Sequence, residues 1–261
     1  MRYVKSLSAI GFDADDTLWQ NEQFFRLTEE RFASFLADYA EKEHLTQRLL
    51  EAERRNLQLY GFGIKGFTLS MIETAIEVTE GRAPAHVIQK ILDAGREMLN
   101  HPVETLPEVR ETLERLAGSY RMIMITKGDL FDQERKLAQS GLGAFFDAVE
   151  IVSNKDAATY ERVFARYGDG PAHAMMVGNS LKSDIVPAIA AGSWGIYIPH
   201  DLTWALEHAE EPIGAPRFRR LGRISELVDL VSEIVSRKIS HYSLFPHLNL
   251  PPRRTATSRR G

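Results

Sequence analysis

The chain of 261 residues contains no cysteine, which excludes a disulfide framework, a thiolate metal site and a cysteine nucleophile. No apolar run approaches the ~20 residues that a membrane-crossing helix needs. The opening Met1-Arg2-Tyr3-Val4-Lys5 leads into only a short apolar stretch, too brief for the h-region of a signal peptide. Charge of either sign is not in large excess: the formal net charge is -4, which gives no general reason to expect nucleic acid or an anionic membrane as partner. The histidines at 44, 86, 101, 173, 200 and 208 fall in no metal-ligand spacing, so zinc is not expected. These absences lead to the expectation of a soluble, cytoplasmic protein with one large or two ordinary domains. Its oligomeric state is left open.

What is present centres on Ala9 to Trp19. A short apolar run ends in Asp13, Asp15 and Asp16, as a buried strand would if it presented carboxylates at its carboxyl edge. Three acids in four positions repel one another unless a cation sits among them. A solvated turn is the ordinary alternative. Further along, Thr126-Lys127-Gly128 follows the apolar run Met122 to Ile125, and Lys155 follows Val149 to Val152. Asn179 and Asp184 follow Met175 to Val177. Each polar group comes after an apolar run of strand length, where open parallel sheets place their ligands. A lysine, threonine or aspartate at such a place is singly an ordinary surface or capping residue; the ordered set is not.

Taken together, Asp13-x-Asp15-x-Thr17, Thr126, Lys155 and Asn179 with Asp184 resemble the four motifs of the haloacid dehalogenase-like hydrolase superfamily, most of whose members are magnesium-dependent phosphatases. The resemblance spans roughly residues 7 to 200. It implies that Asp13 is the nucleophile, that Asp15 is the acid and later the base, and that Thr126 and Lys155 hold the phosphoryl oxygens. It also implies Mg²⁺ held by Asp13, the backbone carbonyl of Asp15, and Asn179 or Asp184. The sequence departs from the pattern at Asn179, where an acid is common, at Lys127, where Asn often stands, and at Asp156, where Pro often stands. The implied activity is hydrolysis of a small phosphorylated metabolite. A carbon-halogen hydrolase of the same fold and a silent binding protein are the alternatives. Asp15 disfavours the first, because halide needs no proton on leaving; the intact set disfavours the second.

Strands alternating with helices from Thr105 onward predict a doubly wound parallel α/β sheet. The expected core comprises residues 1–20 and 102–240, interrupted by an α-helical insert over 21–101. In the resembled family such an insert is a cap over the active site. Within the insert, Phe25, Phe32, Leu36 and Tyr39 are expected to share one helix face. A literal G-x-G-x-x-G at Gly61 to Gly66 follows a helical pattern instead of a strand, so it is read as a helix-to-helix loop. Tyr60, Phe62, Lys65 and Phe67 in that loop, with Lys127 and Gly128, are candidate substrate contacts. Thr105-Leu106-Pro107-Glu108 reads as a capping box, and Leu202 to Phe218 is hard to place. The basic end, 241–261, is expected to be a tail disordered at its terminus.

Overall fold

The computed structural model describes residues 7–242; the rest of the tail expected over 241–261 lies outside the described residues. Six strands form one parallel sheet: β1 (Ala9–Phe12), β2 (Arg121–Lys127), β3 (Ala148–Val152), β4 (Ala174–Gly178), β5 (Trp194–Tyr197) and β6 (Phe218–Arg220). Their spatial order is β3-β2-β1-β4-β5-β6. Order therefore reverses beside β1, the switch point at which doubly wound sheets open a crevice.

The alternation of side chains along each strand supplies both faces of the core. Ile10 and Phe12 join Met122, Met124, Met175, Val177 and Ile196 on one face, against helices α5 (Val109–Leu116) and α9 (Leu227–Tyr242). Ile123, Ile125 and Met176 occupy the other face with Tyr160, Val163 and Phe164 of α7 (Ala157–Tyr167) and Ala188 of α8 (Val186–Ala190). Gly11 sits where this second face closes on the central strand. A Cβ there would come within 2.9 Å of Ile125 Cδ1 and 3.2 Å of the Phe164 ring.

Between β1 and β2 run α1 (Glu22–Phe35), α2 (Lys42–Tyr60), α3 (Ile64–Val78) and α4 (Ala85–Asn100). They bury a separate apolar cluster that includes Phe32, Leu49, Phe67, Met71, Ile91 and Met98. Two local expectations fail here and nearby. Helix α1 ends at Phe35, so Tyr39 lies beyond it and is exposed. The capping box at Thr105 does not form: Glu108 takes a left-handed conformation (φ 63°) before α5 without a side-chain cap. Thr105 instead bridges Trp19, and the Leu106 N–H is taken by the Leu18 carbonyl at 2.9 Å. Strand β6 starts at the last residue of the stretch that is hard to place from sequence; its three residues are too few for alternation to register. No helix among the described residues is long and apolar enough to cross a membrane.

Candidate active site

The Asp13 N–H donates to the Val177 carbonyl at 2.9 Å, so the β1–β4 ladder runs one residue past the strand and delivers Asp13 at the carboxyl edge. The chain then turns, with the Leu18 N–H on the Ala14 carbonyl at 2.8 Å. That turn brings Asp15 to the same cavity as Asp13. Asp16 also borders this cavity and accepts from the N–H groups of Asn21 (2.8 Å) and Glu22 (3.0 Å), capping the start of α1.

Neighbouring strands supply the other groups. Thr126 and Lys127 end β2, Lys155 follows β3, and Asn179 and Asp184 follow β4. The Lys155 ammonium is buried between two carboxylates, donating to Asp13 Oδ1 and, at 2.7 Å, to Asp184 Oδ1. Burial works against its charge, but the two acids outweigh that and hold the ammonium above its usual range. Burial and the nearby Asp184 push Asp13 up to about 7 against the opposing pull of Lys155.

Asp184 is itself set by a reciprocal cap. Ser180 Oγ accepts from the Ser183 N–H at 3.0 Å, while Asp184 Oδ2 accepts from the Ser180 N–H at 2.9 Å. The ordinary reading of Asp184 as a helix N-cap therefore passes to Ser180. This arrangement needs Gly178, because a Cβ there would lie 2.3 Å from Asp184 Oδ2. Gly178→Ala should displace Asp184 and cost about 1–3 kcal/mol of stability, checked by denaturant unfolding. An unchanged midpoint would show that the carboxylate has room to move.

Asn179 bears on cation binding. One end of its amide faces Asp13 Oδ2 at 3.2 Å, the Asp15 carbonyl at 3.3 Å and the Thr17 hydroxyl at 3.3 Å. With nitrogen at that end, the amide donates to all three. With oxygen there, four oxygens converge, an arrangement that a hard cation would stabilise. The donor set is all oxygen and thus fits Mg²⁺.

A family model for haloacid dehalogenase-like hydrolases matches residues 7–192, the stretch that carries every group placed so far at this edge. The chain belongs to this hydrolase family. A haloacid dehalogenase-like family hydrolase from Xanthomonas campestris is 42% identical, with a TM-score of 0.80 over 91% of this chain and 95% of that one. A glyceraldehyde 3-phosphate phosphatase of Methanothermobacter thermautotrophicus is 26% identical over 78% of this chain and 92% of its own length. The 5-amino-6-(5-phospho-D-ribitylamino)uracil phosphatase YigB of Escherichia coli is 24% identical over 76% of this chain and 87% of its own.

In this hydrolase Asp15 is held by residues that sequence reasoning missed. Trp19 Nε1 (2.7 Å) and Lys136 Nζ (2.9 Å) donate to its Oδ1, and Gln133 Nε2 (2.8 Å) donates to Oδ2. Gln133 and Lys136 are buried on α6 (Leu130–Ser140), whereas Leu130 and Phe131 of the same helix are exposed. That inversion is visible only in the structure, so no sequence signal pointed to them. Lys127 was expected at substrate; it lines the cavity but is engaged by Glu207 Oε1 at 2.6 Å and lies 3.9 Å from the Phe62 ring centre. Gly128 lines the cavity at φ 136°, where a Cβ would meet Gln133 Nε2 at 2.9 Å.

The expected helix-to-helix loop shrinks to residues 61–63, with Tyr60 ending α2 and Lys65 and Phe67 inside α3, and the candidate contacts there divide. Phe62 and Phe67 line the cavity, Phe67 with its ring 5.0 Å from that of Phe25. Tyr60 and Lys65 do not: the Tyr60 hydroxyl donates to Glu73 Oε1 at 2.9 Å, and Lys65 Nζ bridges both oxygens of Asp129 at 2.9 and 3.0 Å. Lys65 thus ties the inserted helices to the N-terminus of α6. The cavity between sheet edge and insert measures about 160 Å³. That is close to the ~150 Å³ that accommodates benzene, so the cavity suits a small ligand.

Proposed function

We propose that this hydrolase is a magnesium-dependent phosphatase that cleaves a small phosphorylated metabolite through an aspartyl phosphate on Asp13. The observation that carries the reading is the Asp13–Lys155–Asp184 cluster at the sheet's switch point, facing Asp15 across one cavity. A carboxylate of Asp13 would form the new P–O bond while the ester P–O bond breaks and Asp15 gives its proton to the leaving oxygen. Asp15 would then take a proton from water as the water oxygen attacks phosphorus, releasing phosphate and restoring Asp13. Trp19, Gln133 and Lys136 fix Asp15 for both steps. Thr126 and Lys155 would hold the equatorial oxygens.

In this reading Mg²⁺, when bound, neutralises charge on the phosphoryl group. Asp13, the backbone carbonyl of Asp15, Asn179 and Asp184 would hold it. The inserted helices, residues 21–101, would act as a cap on the core formed by 1–20 and 102–240. Their separate apolar cluster and the cavity beneath them support that division.

The test is phosphate release from a panel of phosphomonoesters, including 4-nitrophenyl phosphate, with Mg²⁺ and with chelator. Release that depends on Mg²⁺ is expected; none from any member of the panel would remove the reading. Asn179 provides a second check. An amide ligates a hard cation without bringing charge, so Asn179→Asp should lower the Mg²⁺ concentration for half-maximal rate. An unchanged or higher requirement would mean that Asn179 does not address the metal.

A further inference from the structure

The cap end of the cavity is lined by Glu22 and Glu29 of α1 and Glu53 of α2. The single guanidinium among them, Arg26, lies 3.0 Å from Glu22 and 3.3 Å from Glu29, with its side chain 40% exposed toward solvent. Glu53 is only 8% exposed, and among the described residues no basic side chain lies within 4 Å of it. Its hydrogen-bond partner there is the Trp204 side chain. Burial, reinforced by Glu29 and Glu22, pushes Glu53 up to about 8 against the Trp204 hydrogen bond and the more distant Arg26. Burial pushes Glu22 up to about 7 despite Arg26.

The unmet hydrogen-bonding capacity has one sign. Among the described residues, two buried side-chain atoms lining this cavity have no hydrogen-bond partner: Glu22 Oε1, whose contact with Arg26 is an ion pair without hydrogen-bond geometry, and Gln133 Oε1. Both are acceptors. Glu22 Oε1 lies at the cap end and Gln133 Oε1 beside Asp15; a ligand that meets them must bring N–H or O–H donors, and one that carries positive charge to the cap end relieves the burial of Glu53. Phe25, Phe67 and Trp204 line the same cavity and add aromatic surface to it. The opposite end holds Lys155 and Lys127. Each of these lysines already has acidic partners, Asp13 and Asp184 for Lys155 and Glu207 for Lys127, whereas beneath the cap three carboxylates share one guanidinium.

We propose that the substrate is a phosphomonoester of an amino alcohol, its phosphate at Asp13, Thr126 and Lys155 and its protonated primary amine at Glu53 under Trp204. This assignment rests on the phosphatase reading. A polyol would supply donors but no positive charge to draw the buried Glu53 into its ionised form. A quaternary ammonium would supply charge but no donor for Glu22 Oε1 or Gln133 Oε1.

The test compares matched pairs of substrates: 2-aminoethyl, 3-aminopropyl and 4-aminobutyl phosphate against the ω-hydroxyalkyl phosphates of equal length, with 4-nitrophenyl phosphate as reference. In at least one pair the amine should exceed the hydroxyl compound in kcat/KM by about tenfold or more. Glu53→Gln, which keeps shape and removes charge, should bring that ratio to about one. Hydroxyl compounds favoured in every pair, or a ratio unchanged in folded Glu53→Gln, would overturn the assignment. Turnover of 4-nitrophenyl phosphate in either case would leave the phosphatase reading standing, so the two failures are distinct. Should Glu53→Gln not fold, wild-type inhibition decides: 3-amino-1-propanol should inhibit 4-nitrophenyl phosphate turnover at about tenfold lower concentration than 1,3-propanediol. Equal potency of the two alcohols would overturn the assignment.

Discussion

Asp13→Asn is expected to reduce phosphate release by at least about 10⁴-fold, as loss of a covalent nucleophile does, without loss of the fold. The amide keeps the shape of the carboxylate and an oxygen for Lys155, and Lys155 retains Asp184 at 2.7 Å. The variant should melt no lower than wild type at pH 7.5. Burial raises Asp13 to about 7, above the carboxylate value of 3.8. A group raised in this way binds more protons folded than unfolded, so its ionised form costs folding free energy once pH passes about 4. Removing it removes that cost. Mass spectrometry of enzyme quenched during turnover should find the phosphoryl adduct on the wild-type protein and none on the variant. Near-normal turnover in Asp13→Asn would end the covalent mechanism.

The residues that were legible in the sequence are those whose role is set by where the chain leaves a strand. Asp13, Thr126 and Asn179 each come immediately after, or within three residues of, a buried apolar run, and Lys155 follows the edge strand β3, where Val149, Ile151 and Val152 are apolar although only Val152 is buried. A parallel sheet covered on both sides leaves such runs visible, and its carboxyl edge gathers the polar residues at their ends. The supports of Asp15 were not legible because they are remote: Gln133 and Lys136 lie 118 and 121 residues away. They occupy the face of α6 that periodicity assigns to solvent. Glu207, 80 residues from Lys127, emerges from the stretch that could not be placed. The capping box at Thr105 shows the converse, a sound local motif overridden by the bridge to Trp19. In the inserted helices, Phe62 and Phe67 stood out by residue type alone, whereas nothing in the sequence set Glu22 and Glu53 apart from the other charged residues of those helices.

Lys155→Met should have the largest effect on stability, because it removes the buried cation between Asp13 and Asp184 while keeping the apolar stem. Breaking a buried ion pair from one side costs about 3–5 kcal/mol, roughly 6–20 °C in melting temperature for a domain of this size. The loss should depend on pH in a fixed direction. Lys155 is the main influence holding Asp13 down, so without it the folded-state pKa of Asp13 moves further above 3.8. The folded variant then binds a proton that the unfolded chain has already released. Its stability is fully present below the unfolded pKa and falls as pH rises through the folded one. The gap to wild type should therefore be wider at pH 8 than at pH 6. A divalent cation at the same carboxylates would replace the missing charge, so millimolar Mg²⁺ should raise the melting temperature of Lys155→Met more than that of wild type. Phosphate release should fall by about 10²–10³-fold, since a donor aimed at the phosphoryl oxygens is gone. Melting curves at the two pH values, with and without Mg²⁺, read out all three stability terms. A variant that melts with wild type at pH 8 would show that the two carboxylates do not need Lys155 to be buried together.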